Sequence, residues 1–193
     1  MPQLRSLPDP SHLSDLFGRY PHSVPPLMEF TDMVLRAEGE LSIGERELIA
    51  AFVSGLNACD FCFQSHKAYA LAFGIEERLI EKLMEDVESA GVNEKLEPLL
   101  YYVKKLNDEP SRMTSADADA VYEAGWSEKA LYEAVQVCAL FNMMNRIVQG
   151  TGVNFDYVAT PERHPTASGA GAEGGYSYTG FGQRTAKKLP EAD

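Results

Sequence analysis

Apolar side chains recur every three or four positions along most of this chain, which is the period of an α-helix with one buried face. Residues such as Gly39, Gly74 and Pro110 interrupt the pattern where helices commonly end. No segment shows the sustained alternation of a half-buried strand, so the pattern predicts an all-α fold. We predict helices over residues 25–38, 42–56, 59–74, 75–87, 94–106, 115–124 and 127–149.

The two ends of the chain depart from this pattern. Residues 1–22 are rich in Pro and Ser and predict an N-terminal arm with at most one helical turn near 11–17. Gly, Ala and Ser dominate from about residue 159, as in the stretch GAGAEGGYSYTGFG, which predicts an extended tail without a helix. The aromatic residues of that stretch leave both a free tail and a docked tail open. The chain therefore divides into the arm, a helical domain over 23–158 and the tail over 159–193.

The net charge of the chain limits the classes of macromolecule that are expected to bind it. The 193 residues carry a formal net charge of −12, and so acidic a surface repels nucleic-acid backbones and anionic lipid head groups. No apolar run is long enough to cross a bilayer, and the first residues lack the apolar core of a secretory signal. We therefore expect a cytoplasmic protein without nucleic-acid or membrane partners.

Two of the three cysteines, Cys59 and Cys62, are close enough in the sequence to act as a pair. An odd cysteine count with this spacing is not a secreted disulfide framework, so the pair indicates redox catalysis or metal binding. Cys62 and His66 are four positions apart and share one face of a helix. Cys59 lies at the predicted helix start, where free N–H groups and the helix dipole favour a thiolate. A nearby imidazole can accept a thiol proton.

A carboxylate precedes this pair on the neighbouring helix. Ser42 and Glu45 fit a capping box that starts this helix, which carries Glu47 two positions after Glu45. The face that bears Glu47 otherwise holds small residues, so another helix can approach it closely. We therefore expect Glu47 to reach His66 and to orient its imidazole.

The other polar or reactive residues of the last predicted helix receive a structural interpretation. Cys138 lies on its apolar stripe and is expected to be an inert buried cysteine. Asn142, Asn145 and Arg146 interrupt the same helix, and we interpret them as a polar edge or a subunit contact.

Zinc binding is an alternative that the residues leave open, because Cys59, Cys62, His66 and Glu47 offer four ligands. Structural zinc sites with a cysteine pair mostly draw their other ligands from a distant segment, and no second Cys/His cluster exists here. We therefore favour redox chemistry without a metal. No Gly-rich phosphate loop follows a strand, so no cofactor is predicted.

The spacing of these residues is similar to a family motif. Glu47, then Cys59-x-x-Cys62-x-x-x-His66, resembles the motif of the AhpD-like alkylhydroperoxidases in the carboxymuconolactone decarboxylase superfamily. The resemblance covers about residues 27–75. The segment LFNMMNRIVQGTGV, which ends at Val153, resembles the peroxidase-related branch of the same family.

The resemblance implies a fold, an assembly and an activity. The fold is an AhpD-like helical bundle that assembles as a homo-oligomer, either trimer or hexamer. The activity is thiol peroxidase or disulfide reductase chemistry, with an organic hydroperoxide or hydrogen peroxide as acceptor. An external dithiol or a lipoyl- or thioredoxin-like reductant supplies electrons. In the family pattern, Cys62 attacks the peroxide, Cys59 resolves the product, and His66 with Glu47 relays protons.

One position departs from the family pattern. The best-known members have a second histidine just before the second cysteine, and this chain has Phe61 there. The relay is therefore shorter, and Phe61 could provide an apolar docking spot for a partner. This supports an alternative function as an adaptor, in which the cysteine pair passes electrons from a lipoyl- or thioredoxin-like donor to a separate peroxidase.

Overall fold

A computed structural model describes residues 1–168 and 176–186 of the chain. Within those ranges the chain is helical and contains no strand, which confirms the all-α prediction. No helix there is both long and apolar enough to cross a membrane. The helices are α1 (Leu13–Arg19), α2 (Val24–Arg36), α3 (Ile43–Leu56), α4 (Asp60–Ala72), α5 (Glu77–Glu85), α6 (Leu96–Asp108), α7 (Ser115–Glu123), α8 (Glu128–Thr151) and α9 (Tyr178–Ala186).

Helix α3 is the central element of the bundle, and it packs against α4, α6 and α8. Its apolar residues Leu48, Ile49 and Phe52 are fully buried. The predicted capping box starts it: the Glu45 N–H donates to Ser42 Oγ at 3.2 Å, and the Ser42 N–H donates to Glu45 Oε2 at 2.7 Å. Burial of this helix on several sides fixes the position of every polar group that it carries.

A tight connection returns the chain from α3 to α4. Ala58 adopts a left-handed conformation with φ of +50°, which is uncommon for a residue other than glycine. The N–H groups of Ala58 and Cys59 donate to the carbonyls of Gly55 and Ser54, each at 2.9 Å, in the pattern of a Schellman motif. The same turn makes Cys59 the N-cap of α4. It therefore places the cysteine pair against the end of α3.

The N-terminal arm is attached to the bundle. Ser11 donates its N–H to Asn154 Oδ1 at 2.8 Å, which ties the arm to the segment after α8. A capping box formed by His12 and Asp15 starts α1, and this helix buries Phe17. The arm thus forms a seven-residue helix, longer than the single turn predicted.

The prediction that the tail forms no helix is wrong for residues 178–186. Helix α9 lacks strong local signals, but a carboxylate of α2 caps it: Asp32 accepts the N–H groups of Tyr178 at 2.7 Å and Thr179 at 2.8 Å. Gly182 lies so close to Met28 that an added Cβ would come within 2.7 Å of the Met28 side chain. Residues 176–186 of the tail are therefore docked on the bundle, and the cap that starts α9 comes from a tertiary contact and not from the local sequence. The predicted tail residues 169–175 and 187–193 lie outside the described residues.

Candidate active site

The two paired cysteines lie together at the start of α4, and both are buried free thiols. The thiol of Cys62 donates a hydrogen bond to the sulfur of Cys59. This contact lowers the pKa of the Cys59 thiol, and it outweighs burial, which acts in the opposite direction. The same contact, together with burial, raises the pKa of Cys62 well above its usual value. In the reduced pair the first thiolate therefore forms on Cys59, as its helix-start position suggests.

Asn145 supports the cysteine pair from α8. Its side-chain amide faces the pair, and hydrogen bonding from it lowers the pKa of both thiols. Its Nδ2 also donates to Ser54 Oγ at 3.1 Å, while its Oδ1 accepts from Asn57 at 3.0 Å. Asn145 is fully buried, so its interpretation as a polar edge or a subunit contact is wrong. A buried amide of this kind needs hydrogen-bond partners, and those it has are at the site.

Glu47 and His66 meet as expected. Glu47 Oε2 lies 2.6 Å from His66 Nδ1, and Glu47 has no exposed surface. An ionised carboxylate only accepts hydrogen bonds, so Nδ1 carries the hydrogen, and Nε2 is the nitrogen left to exchange a proton. The contact thus fixes both the tautomer and the orientation of the imidazole.

A buried cation balances the carboxylate. Arg36 Nη1 lies 2.6 Å from Glu47 Oε1. Burial alone raises the pKa of Glu47, but the charges and hydrogen bonds of His66 and Arg36 prevail and lower it. The guanidinium itself lies among aromatic rings, with its central carbon 5.5, 5.2 and 4.9 Å from the ring centres of Tyr69, Phe73 and Tyr178. Glu47 is therefore held ionised inside the protein.

Tyr178 brings the C-terminal segment into the site. Its hydroxyl donates to Glu47 Oε1 at 3.2 Å, and its ring stacks over that of His66 with 6.3 Å between centroids. Burial, followed by the charge of Glu47, raises the pKa of Tyr178 well above its usual value. Tyr178 therefore remains a neutral hydrogen-bond donor. Neither Arg36 nor Tyr178 is predicted by the cysteine motif, because both reach the site from other elements.

A cavity of about 340 Å³ opens at Cys62 and His66. Its walls are mostly aromatic and apolar, and they include Phe61, Phe141 and Tyr178. Cys59 instead lines a separate groove of about 320 Å³, together with polar residues that include Asp60 and Asn154. The two cysteines therefore line different cavities, one mostly apolar and one more polar.

Phe61 lies inside the protein rather than on its surface. It is 7% exposed, and its ring stacks on Tyr157 with 5.5 Å between centroids. A side chain this buried offers little surface to a partner protein, so the docking spot expected at Phe61 is limited to its small share of the Cys59 groove. The Phe61 ring forms part of the walls of both the Cys62 cavity and the Cys59 groove.

Two further histidines lie at the cavity: His12 lines it, and His164 packs edge-on against Tyr69 of its wall. His12 Nε2 lies 2.5 Å from Tyr157 Oη, and His164 Nε2 lies 3.2 Å from Ser65 Oγ. Burial lowers the pKa of each imidazole to about 4. Both are therefore neutral near pH 7.

Cys138 is also a buried free thiol. This burial raises the pKa of its thiol to about 11, in agreement with an unreactive cysteine. In the described part of the chain, no three His, Cys, Asp or Glu side chains are grouped so that they could hold a metal ion.

The comparisons with known proteins concern the central part of the chain. Residues 24–98 match the model of the carboxymuconolactone decarboxylase family. No curated protein matches this chain with statistical significance.

Solved structures share the fold. The alkylhydroperoxidase AhpD core of an uncharacterised peroxidase-related protein from Ralstonia eutropha is 20% identical, with a TM-score of 0.69 over 74% of this chain and 75% of the other. An uncharacterised peroxidase-related protein from a Silicibacter species is 24% identical, with a TM-score of 0.63 over 66% of each chain. A protein of unknown function from Agrobacterium tumefaciens, whose name links it to the antioxidant defence protein AhpD, is 19% identical, with a TM-score of 0.63 over 74% of this chain and 96% of the other.

Proposed function

Because this chain belongs to the carboxymuconolactone decarboxylase superfamily and has the fold of its AhpD-like, peroxidase-related members, we propose that it is a thiol-dependent hydroperoxidase. The observation that carries the proposal is the meeting of Cys62 and His66 at one apolar cavity, with His66 Nδ1 fixed 2.6 Å from Glu47. A sulfur nucleophile and an oriented imidazole at an enclosed site are what reduction of a hydroperoxide requires.

The first step consumes the hydroperoxide. The proton of Cys62 moves along the existing hydrogen bond to the Cys59 sulfur, so the pair never carries two negative charges. The Cys62 thiolate attacks the terminal peroxide oxygen, the O–O bond breaks, and the sulfur is oxidised to a sulfenic acid. The alkoxide takes a proton from His66, which draws it from solvent while Glu47 balances the imidazolium charge. The released product is an alcohol.

The second step closes the disulfide. The Cys59 sulfur attacks the sulfenic sulfur of Cys62, and the hydroxide that leaves takes the Cys59 proton to form water. Each sulfur has then lost one electron relative to the thiol form. The hydroperoxide, the Cys59 thiolate, the Cys62 thiol and the solvent proton are thus converted into a disulfide, an alcohol and water.

The third step restores the thiols. An external dithiol attacks the sulfur of Cys59 through the groove that this residue lines, and Cys62 leaves as a thiolate. The second thiol of the reductant then releases Cys59 by forming the reductant's own disulfide. The separate cavities at Cys62 and Cys59 support this division between peroxide and reductant. A lipoyl- or thioredoxin-like donor has the required chemistry.

The adaptor function is a second candidate, and the lowered pKa of Cys59 favours it. A thiolate that lines its own groove is suited to disulfide exchange with a separate peroxidase. In that case oxidised partner protein, and not hydroperoxide, would oxidise the pair. Turnover of hydroperoxide by the purified protein with a small dithiol separates the two functions.

The decisive variants are single cysteine replacements. Cys62→Ser should abolish hydroperoxide turnover, whereas Cys59→Ser should allow one turnover and leave a sulfenic acid on Cys62 that dimedone captures. Cys138→Ala is the matched control and should retain turnover, because its buried thiol takes no part. Full turnover by Cys62→Ser would refute the proposal.

Assembly as a trimer or hexamer belongs to the same proposal. Met33 and Tyr132 are large apolar side chains that are 68% and 61% exposed on the single chain. Exposed apolar residues of this size are commonly covered in homo-oligomers. Light scattering after size-exclusion chromatography should give three or six times the mass of one chain, and a monomer would contradict the expectation.

A further inference from the structure

The cavity at Cys62 carries positive charge as well as apolar walls. Arg163 and Arg184 both line it, in a protein whose net charge is −12. Arg163 comes from the turn after α8, and its guanidinium carbon lies 4.5 Å from the ring centre of Phe155. Arg184 lies in the last turn of α9. Two separate segments therefore bring cationic side chains to one apolar cavity.

These two arginines are exposed to solvent where they line the cavity, and in this they differ from the buried arginines Arg36 and Arg46. Arg36 and Arg46 each lie within 4 Å of a carboxylate, at Glu47 and Glu133. Neither Arg163 nor Arg184 forms such an ion pair with a carboxylate in the ranges that the structure describes. An arginine without a carboxylate partner at the edge of an apolar cavity can bind the carboxylate of a ligand, because the planar guanidinium forms two parallel, charge-assisted hydrogen bonds with it.

The volume and the lining of the cavity indicate the size and the polarity of the rest of the ligand. About 340 Å³ is within the range of small-molecule sites, and the lining is predominantly aromatic and apolar. A small polar peroxide would leave these walls uncovered. An elongated apolar body covers them and places its reactive group at Cys62.

We propose that the substrate is an amphipathic, anionic hydroperoxide of the fatty-acid class, whose carboxylate is bound by Arg163 and Arg184 while its hydroperoxide group faces Cys62. This inference rests on the proposed function and names its substrate class. The apolar chain packs against the aromatic walls, and the arginines select the acid over its neutral ester. The reaction is the one already described, in which the fatty-acid hydroperoxide becomes a hydroxy fatty acid.

The test compares linoleic acid hydroperoxide with its methyl ester, which differs only in the charge of the head group. The wild type should show a kcat/KM about tenfold or more higher for the acid, as expected for a charge-assisted contact. The double variant Arg163→Gln/Arg184→Gln should lose that ratio, and Arg163→Lys/Arg184→Lys should keep part of it. Arg112→Gln, which removes an exposed arginine that is ion-paired with Glu109, is the control and should retain the full ratio. Equal turnover of acid and ester by the wild type would overturn the substrate class, while the proposed peroxidase function would stand.

Binding of oleate, measured by titration calorimetry, separates the substrate class from the peroxidase function. Oleate should bind the wild type more tightly than methyl oleate, and the Gln double variant should bind the two equally. If oleate binds in this arginine-dependent way but no hydroperoxide is turned over, the anionic site is supported and the peroxidase function fails. If oleate and methyl oleate bind the wild type equally, the anionic site is refuted whatever the activity.

Discussion

Glu47 Oε2 lies 2.6 Å from His66 Nδ1, although the two residues are 19 positions apart and lie on different helices. The other oxygen of Glu47 is shared by Arg36 at 2.6 Å and the Tyr178 hydroxyl at 3.2 Å. The carboxylate is thus the point where α2, α3, α4 and the C-terminal segment meet. It links the stability of the bundle to the orientation of the imidazole.

Replacement of this carboxylate should cost both stability and activity. Glu47→Gln removes the negative charge that lies 2.6 Å from the buried Arg36 guanidinium, and it replaces the charged acceptor that orients His66 with a neutral one. We expect the free energy of unfolding, measured in urea, to fall by about 3 kcal/mol. Hydroperoxide turnover should fall at least about tenfold. Glu81→Gln, which removes an exposed carboxylate paired with Lys67, should leave both almost unchanged. An unaltered unfolding curve for Glu47→Gln would contradict a buried ion pair.

The Tyr178 hydroxyl should help to hold the C-terminal segment over the site. Tyr178→Phe keeps the ring that stacks on His66 but removes the 3.2 Å hydrogen bond to Glu47. We expect a loss of about 1 kcal/mol in unfolding free energy. Proteolytic cleavage within the C-terminal segment should become faster. Tyr101→Phe, at an exposed position on α6, is the control and should change neither measurement. A segment equally protected in both variants would show that the hydroxyl contributes nothing to docking.

Asn145 should set the acidity of the cysteine pair. Its hydrogen bonds lower the thiol pKa values, so Asn145→Leu should move the pH midpoint of Cys59 alkylation by iodoacetamide to higher pH. Leucine branches at Cγ as asparagine does but is larger, so the unfolding free energy of the variant is measured beside the midpoint. Asn107→Ala alters the same amide network through Asn57 but does not touch the sulfurs, so its midpoint should match the wild type. An unchanged midpoint in Asn145→Leu would assign Asn145 a packing role alone.

His12 and His164 should make the protein sensitive to mild acid. Their pKa is about 4 in the folded protein, against a usual 6.5, so the unfolded chain binds more protons between these values. Above pH 6.5 both imidazoles are neutral in the folded and the unfolded state, so the full stability is present. As the pH falls toward 4, the unfolded chain binds protons that the folded protein does not, and the free energy of unfolding decreases. We expect a slope of about 1 kcal/mol per pH unit for each histidine.

The variants that test this are His12→Gln and His164→Gln, each of which should flatten the dependence of unfolding free energy on pH between 6.5 and 4. His22→Gln is the control, because His22 is exposed on the surface. A slope in His12→Gln and His164→Gln equal to that of the wild type would show that these imidazoles are protonated as readily in the folded state as in the unfolded chain.

Local patterns predict most of the bundle and the centre of the site. The capping box at Ser42 places the start of α3 correctly, and the spacing from Glu47 through Cys59 and Cys62 to His66 corresponds to a real cluster. These features succeed because each depends on residues that are near in sequence or share one helix face.

The residues that sequence reasoning missed all depend on tertiary contacts. Helix α9 forms because Asp32 caps it from α2, and no signal within the Gly-rich tail reveals that carboxylate. The amphipathic pattern of α8 predicts an exposed Asn145, because the pattern cannot show that the end of α3 and the start of α4 pack against this side chain. Arg36 likewise ends a helix as an ordinary basic residue, and only the fold places it beside Glu47.

The most direct test of the proposed function is thiol titration of the purified protein before and after one equivalent of an organic hydroperoxide, with mass mapping of the cysteine peptides. The proposed mechanism predicts rapid loss of two thiols, their recovery as a Cys59–Cys62 disulfide, and an unmodified Cys138. Thiols that survive the hydroperoxide but are oxidised by lipoamide or a disulfide partner would contradict the peroxidase and support the adaptor. Thiols that resist both, in a protein that carries about one zinc per chain, would contradict redox function altogether.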